Sequence, residues 1–207
     1  MNEIDWQVRA TAWELAALSF RYPDGTLEGA VGSGEWADAA REIADVLGLS
    51  LPEGFGAEAS ADGLRAEATR LFVGAPEPAC SPYEGVWAAE ADGVQPLLFV
   101  NPRSMEVERF ARACGLGRPE GTNEPLDHVS AECELLEHLA LRAAGAEPAE
   151  GAPAGADLPG GSPQAAYEAF LSEHARAWMP AFAARAASGS RHPFYRAAAA
   201  YLGALAG

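Results

Sequence analysis

Lysine is absent from the 207 residues, and all 14 basic side chains are arginine. A P-loop needs lysine on the phosphates and Schiff-base catalysis needs the amine itself, so neither class of enzyme is open to this chain. The arginines form no run, and 30 acidic residues bring the formal charge to −16. Nucleic acid is therefore not expected as a partner, because phosphate contact depends on clustered positive charge; an acidic surface suits a cationic ligand instead. Cysteine is scarce. Cys80, Cys114 and Cys133 are odd in number and lack CxxC spacing, which signals neither a disulfide framework nor a zinc site and fits a reducing compartment. No apolar run approaches the roughly 18 residues of a membrane span. The opening Met1-Asn2-Glu3-Ile4-Asp5-Trp6 carries acid where a secretory signal carries basic residues. These absences predict a cytoplasmic protein that does not insert into a membrane.

Long alternating runs are missing too, and β-branched residues are few beside alanine, which favours helix over sheet. What is present is helical periodicity, and the predicted fold class is all-α. Ile4, Val8, Leu15 and Leu18 share one face of a first helix, which Pro23-Asp24-Gly25 breaks. Trp36, Ile43, Val46 and Leu47 mark a second helix ending at Gly48, and Leu64, Ala68, Leu71 and Phe72 a third ending before Gly74. Pro76 and Pro78 forbid helix through to Cys80. Ser81-Pro82-Tyr83-Glu84 has the form of a capping box, with Ser81 as N-cap, Pro82 at the first helical position and Glu84 reaching back. Asn101-Pro102 opens a helix through Met105, Phe110 and Ala113, closed by Gly115, and Glu124-Pro125 opens another with Val129, Cys133, Leu136 and Ala140 on one face. Residues 145–163 are rich in Gly, Pro and Ala and predict a flexible loop. Two helices close the chain, one from Tyr167 to Phe182 with a kink expected at Pro180, the other from Pro193 to Leu205.

Chemistry-bearing residues are few. His128, Cys133 and His138 are spaced by five, a step that rotates about 140° around a helix and does not converge three ligands, so no metal is expected. No G-x-S-x-G elbow occurs, and on a helix Ser130 points away from His128, two residues before it. In the first turn of a helix the macrodipole favours an ionised Asp127 beside a neutral His128. Such a pair suits recognition of a cation or a peptide backbone.

Taken together, three stretches point further. Arg70-Leu71-Phe72-Val73-Gly74 with Ser81-Pro82-Tyr83-Glu84-Gly85-Val86-Trp87 resembles the first signature region of the TorD/DmsD/NarJ redox-enzyme maturation chaperones. Glu124-Pro125-Leu126-Asp127-His128 is similar to their E-P-x-D-H motif, and Phe170-Leu171-Ser172-Glu173-His174 through Trp178, Pro180 and Phe182 to Phe194-Tyr195 is similar to their last two helices. Gly85 departs from the serine common at its position, and residues 145–163 form a longer stretch than is usual.

This resemblance implies a single TorD-like helical bundle, with a larger N-terminal part (1–122) and a smaller C-terminal part (123–207), as monomer or domain-swapped homodimer. It implies a chaperone, not an enzyme, with no cofactor of its own. The implied partner is a molybdoenzyme catalytic subunit, bound by its twin-arginine leader or N-terminal peptide. Asp127 and His128 would lie at the leader site, Glu124 and Pro125 would shape it, and Tyr83, Glu84 and Trp87 would line the adjoining groove. The alternatives are a non-catalytic helical adaptor for another protein and a small hydrolase. For residues 145–163, amide hydrogen exchange faster than in the flanking helices is expected; equal protection would refute the flexible-loop reading.

Overall fold

The computed structural model describes residues 5–94, 101–117, 125–148 and 151–207. Ten helices are seen among them: α1 (Trp6–Phe20), α2 (Gly25–Ser33), α3 (Glu35–Leu47), α4 (Leu64–Ala68), α5 (Glu84–Ala91), α6 (Pro102–Ala113), α7 (Val129–Ala143), α8 (Pro163–Phe170), α9 (Arg176–Gly189) and α10 (Pro193–Ala206). The only β pairing among the described residues is an isolated bridge between Tyr83 and His128. The fold is all-α, as its periodicity predicts.

The sequence pattern misses α2. Asp24, beyond the Arg21 C-cap of α1, starts a further helix: its Oδ1 accepts from the N–H groups of Thr26 and Leu27, capping α2, and Leu27 and Val31, four apart, bury that helix's inner face. Nor does the chain lose regularity at Pro180, which lies inside an unbroken α9. The irregular stretch is earlier, a π-helical turn at Leu171–Ala175 joining α8 to α9. A proline removes an N–H and crowds the carbonyl four residues before it, and a wider turn just upstream accommodates both.

α1 and α7 pack along one another, with α10 against both α1 and α9. Their shared core is aromatic and alanine-rich: small residues such as Ala12, Ala16, Ala140 and Ala198 allow close helix approach around Trp13, Trp36, Phe182 and Tyr201. The polar ends of the buried aromatics are matched. Trp13 Nε1 donates to Tyr167 Oη at 2.8 Å, and Trp36 Nε1 to Ser19 Oγ at 2.9 Å. A second polar anchor is Glu67, which accepts from Arg70, Ser190 and the Arg191 amide and is held down to about 2, chiefly by Arg70. It ties α4 to the α9–α10 turn. In the 145–163 stretch, Leu158 is buried between two short 3₁₀ turns, an anchor that composition conceals. Replacing Tyr167 with Phe strands a buried indole N–H; urea unfolding should show a loss of about 1–3 kcal/mol, and unchanged stability would deny the bond its role.

Candidate functional site

Two segments distant in sequence pair at the heart of the molecule. Residues 82–84 run antiparallel to 127–129, the Val129 N–H donating to the Pro82 carbonyl at 2.8 Å and the Glu84 N–H to the Asp127 carbonyl at 2.9 Å. This pairing overrides both expected helix starts. The capping box at Ser81 does not form: α5 begins at Glu84 with Tyr83 as N-cap, and the Glu84 side chain turns inward. α7 likewise begins at Val129, with His128, not the residue before Pro125, as N-cap. Extended backbone gains two cross-segment hydrogen bonds there that helical turns would forgo.

Asp127 therefore lies ahead of α7, only 1% exposed. Its Oδ2 accepts from the Gly85 N–H at 3.0 Å and from Ser104 Oγ at 2.6 Å. It caps α5 from across the fold and clasps α6 to it. The expected placement in a helix's first turn is corrected accordingly, and burial pushes this carboxyl up from its ordinary value, against the opposing pull of Ser104 and Gly85. Asn101 completes the clasp, its Nδ2 donating to the Gly85 carbonyl at 2.7 Å and its Oδ1 capping α6 at the Arg103 N–H. The glycine at position 85 is explained here, because a Cβ would lie 2.4 Å from Ser104 Oγ and 3.0 Å from Asp127 Oδ2.

Behind the clasp is a knot of buried charge. Glu84, 1% exposed, takes Arg103 Nε on Oε1 at 2.8 Å and His174 Nδ1 on Oε2 at 3.0 Å. Glu132 is fully buried and accepts from Trp178 Nε1 at 3.0 Å. Glu132 was not singled out in the sequence, although it falls three residues after Val129 and four before Leu136, on the buried face of α7. The π turn and α9 present His174 and Trp178, four apart, to the same knot.

His128 faces the other way, 9% exposed, with the Tyr83 ring edge-on at 5.2 Å. Burial pushes the imidazole down to about 4, so it is neutral as expected, but desolvation rather than the macrodipole is the cause. Because His128 caps the helix instead of lying in it, its Nδ1 folds back onto the Ser130 N–H at 3.2 Å and Ser130 Oγ at 2.8 Å. The divergence expected of those two side chains is thus corrected. Two surface pockets, of about 310 and 200 Å³, share Arg21, His128 and Ser130 in their walls. Pro125 and Leu126 line the first, Tyr83 and Phe72 the second. Glu134, at the rim of the first, is paired with Arg21 at 2.8 Å, both half-exposed. Trp87 is elsewhere: Arg185 lies over its ring at 4.0 Å, and with Trp178 it lines a groove of about 650 Å³ that also reaches Glu84 and Arg103. Glu124 lies outside the described residues. Among those described, no His, Cys, Asp and Glu side chains gather as metal ligands, and no helix is long and apolar enough to cross a membrane.

The comparisons agree with this architecture. Residues 33–184 match the family model of the nitrate reductase delta subunit, and the chain belongs to that family, which includes NarJ and TorD. The chaperone protein TorD of Vibrio cholerae, in each of two strains, is 29% identical over 136 residues, covering 66% of this chain and 56% of the relative. The match thus spans little more than half the length of those relatives. A candidate redox enzyme maturation protein from Archaeoglobus fulgidus has the same fold, with a TM-score of 0.55 at 19% identity over 97% of this chain and 93% of that one.

The clasp makes position 85 sensitive. Gly85→Ala should push Ser104 off Asp127 and lower stability by about 1–3 kcal/mol; a melting temperature equal to the parent's would show that the junction has slack.

Proposed function

We propose that this protein is a redox-enzyme maturation chaperone that binds the twin-arginine leader or N-terminal peptide of a molybdenum-cofactor oxidoreductase subunit, in the cytoplasm and without catalysis. Family membership supports the first part, and the matched relatives are themselves named chaperones. The observation that carries the peptide site is the pair of pockets meeting at His128 and Ser130, walled by Pro125, Leu126, Tyr83 and Phe72. The first, mainly apolar, takes the hydrophobic stretch of a leader, and the second, of mixed polarity, the residues next to it. Glu134 supplies an acid at the rim, and its half-exposed bond to Arg21 is of the weak, salt-screened kind that an incoming arginine can exchange with.

Within the motif the roles then divide. Tyr83, Pro125, Leu126 and His128 contact the peptide, whereas Trp87 lines the separate groove. Asp127 and Glu84, buried and already hydrogen-bonded, position these residues. The molybdenum cofactor belongs to the client.

A hydrolase reading has one observation in its favour, the 2.8 Å separation of Ser130 Oγ and His128 Nδ1. That nitrogen also receives the Ser130 N–H as a helix cap, and an imidazole pushed down to about 4 is a weak base. Ester turnover abolished by Ser130→Ala would favour hydrolysis, and co-purification with proteins other than a molybdoenzyme subunit would favour a general adaptor.

In calorimetry with a leader peptide carrying paired arginines, Tyr83→Ala should weaken binding about ten-fold or more, equivalent to roughly 1.4 kcal/mol. Glu134→Gln should flatten the salt dependence, and both variants should melt near the parent. Parental affinity in both, with the fold intact, rules out this peptide site.

A further inference from the structure

We propose that the buried knot holds one proton, on Glu132, and that this proton keeps α5, α6 and the segment before α7 closed, so that the junction is a latch that loosens when the proton leaves. This does not depend on which peptide the chain binds.

Glu132 is faced by Glu84 of α5, Asp127 from the segment before α7, Trp178 of α9 and the neighbouring Cys133 thiol on α7 itself, and Glu84 in turn meets Arg103 of α6, with Glu106 beyond it, and His174 of the π turn. Arg103 is the one permanent cation of the set. It is divided between Glu84 and Glu106, and its remaining reach goes to the Glu173 carbonyl. Three ionised carboxylates would therefore outnumber the positive charge available to them, out of contact with water.

Hydrogen bonding locates the proton. Glu132 Oε1 and Asp127 Oδ1 are buried and receive no donor among the described residues. The other Glu132 oxygen has only the Trp178 N–H, and no arginine or histidine pairs with this carboxyl among the described residues. A carboxylate so placed is stabilised by holding a proton. Both oxygens of Glu84 already receive donors, from Arg103 and from His174, whereas Glu132 has an oxygen with none, so the proton is placed on Glu132. Burial first, then the charges of Glu84 and Asp127, drive Glu132 well above the ordinary carboxylate range, with Trp178 pulling weakly the other way.

The pH dependence follows in sign. Unfolded, Glu132 ionises near the usual 4.5, whereas folded it keeps its proton to a much higher pH. Between those limits the folded state binds the extra proton, so its stability is full below the unfolded value and declines as pH rises toward the folded one. Loss of the proton places unscreened negative charge against Asp127 and Glu84, the two residues that hold residues 82–85 to 127–129. The pockets at Tyr83 and His128 are built on that pairing and should loosen with it.

Infrared spectroscopy reads the proton directly, through the carbonyl stretch of a protonated carboxyl. Glu137, half-buried beside Glu14 and Glu134, is itself pushed up to about 7, so the measurement is made in a Glu137→Gln background. A protonated-carboxyl band should be present at about pH 7 and fade at alkaline pH, and Glu132→Gln, whose amide replaces the protonated carboxyl, should abolish it. The same variant should flatten the fall in melting temperature as pH rises above the ordinary carboxylate range. Absence of the band in the Glu137→Gln protein overturns the proposal whether or not Glu132→Gln folds. So does a band, or a pH slope, that survives Glu132→Gln.

Discussion

Burying polar backbone and carboxylates at a junction of helices is the constraint on which this molecule turns. Residues 82–83 and 127–128 cross the interior ahead of α5 and α7, where no helix supplies hydrogen bonds, so their polar groups and the first amides of both helices must find partners from another element. Asp127 meets that demand for α5 and α6 at once, through the Gly85 amide and the Ser104 hydroxyl. The choice of glycine at 85 and asparagine at 101 follows, the first because a side chain has no room, the second because its amide reaches the Gly85 carbonyl. A helical bundle can bury alanine faces with little specificity; a satisfied polar junction fixes one arrangement of them.

The charge balance of the chain acquires a local meaning at this point. An excess of acid over arginine is solvated cheaply on a surface, and most acidic residues are at least partly exposed. Glu84, Asp127, Glu132 and Glu67 are the buried exceptions, and they differ in how they are compensated. Glu67 has Arg70 and donors from Ser190 and the Arg191 amide, and it is firmly ionised. The Glu84–Asp127–Glu132 group lacks cations in proportion, and its members with raised values are those set by burial. Burial alone therefore does not decide the state of a carboxyl; the count of donors and cations reaching it does.

How much of this was legible follows from what each signal encodes. Periodicity places α1, α3, α6, α7 and the last helices, because amphipathic spacing is a local record of burial. It overlooks α2, whose cap at Asp24 is masked by the adjoining proline and glycine. Proline after serine, or after glutamate, reads as a helix start in isolation, and at Ser81-Pro82 and Glu124-Pro125 that reading is displaced by pairing between the two segments, a long-range effect that neither segment contains. For the same reason Asp127 reads as a first-turn residue of a helix and turns out to be a buried clasp ahead of it. The Ser130–His128 contact was hidden by one assumption, that His128 lies within the helix it in fact caps.

A family motif thus records two kinds of demand without distinguishing them. Asp127 and His128 are adjacent letters, yet one points to the interior and binds amide and hydroxyl, while the other borders surface pockets. Extended backbone produces this split, since successive side chains leave a strand on opposite faces. The same alternation puts Tyr83 on the pocket side and Glu84 on the buried side of the paired segment. Two neighbouring pairs, each with one residue facing in and one facing out, couple the interior to the surface through a single peptide unit. A change in the charge of the inner residues therefore has a short mechanical path to the outer ones, and substitutions at Asp127 or Glu84 are to be read through their effect on the position of Tyr83 and His128.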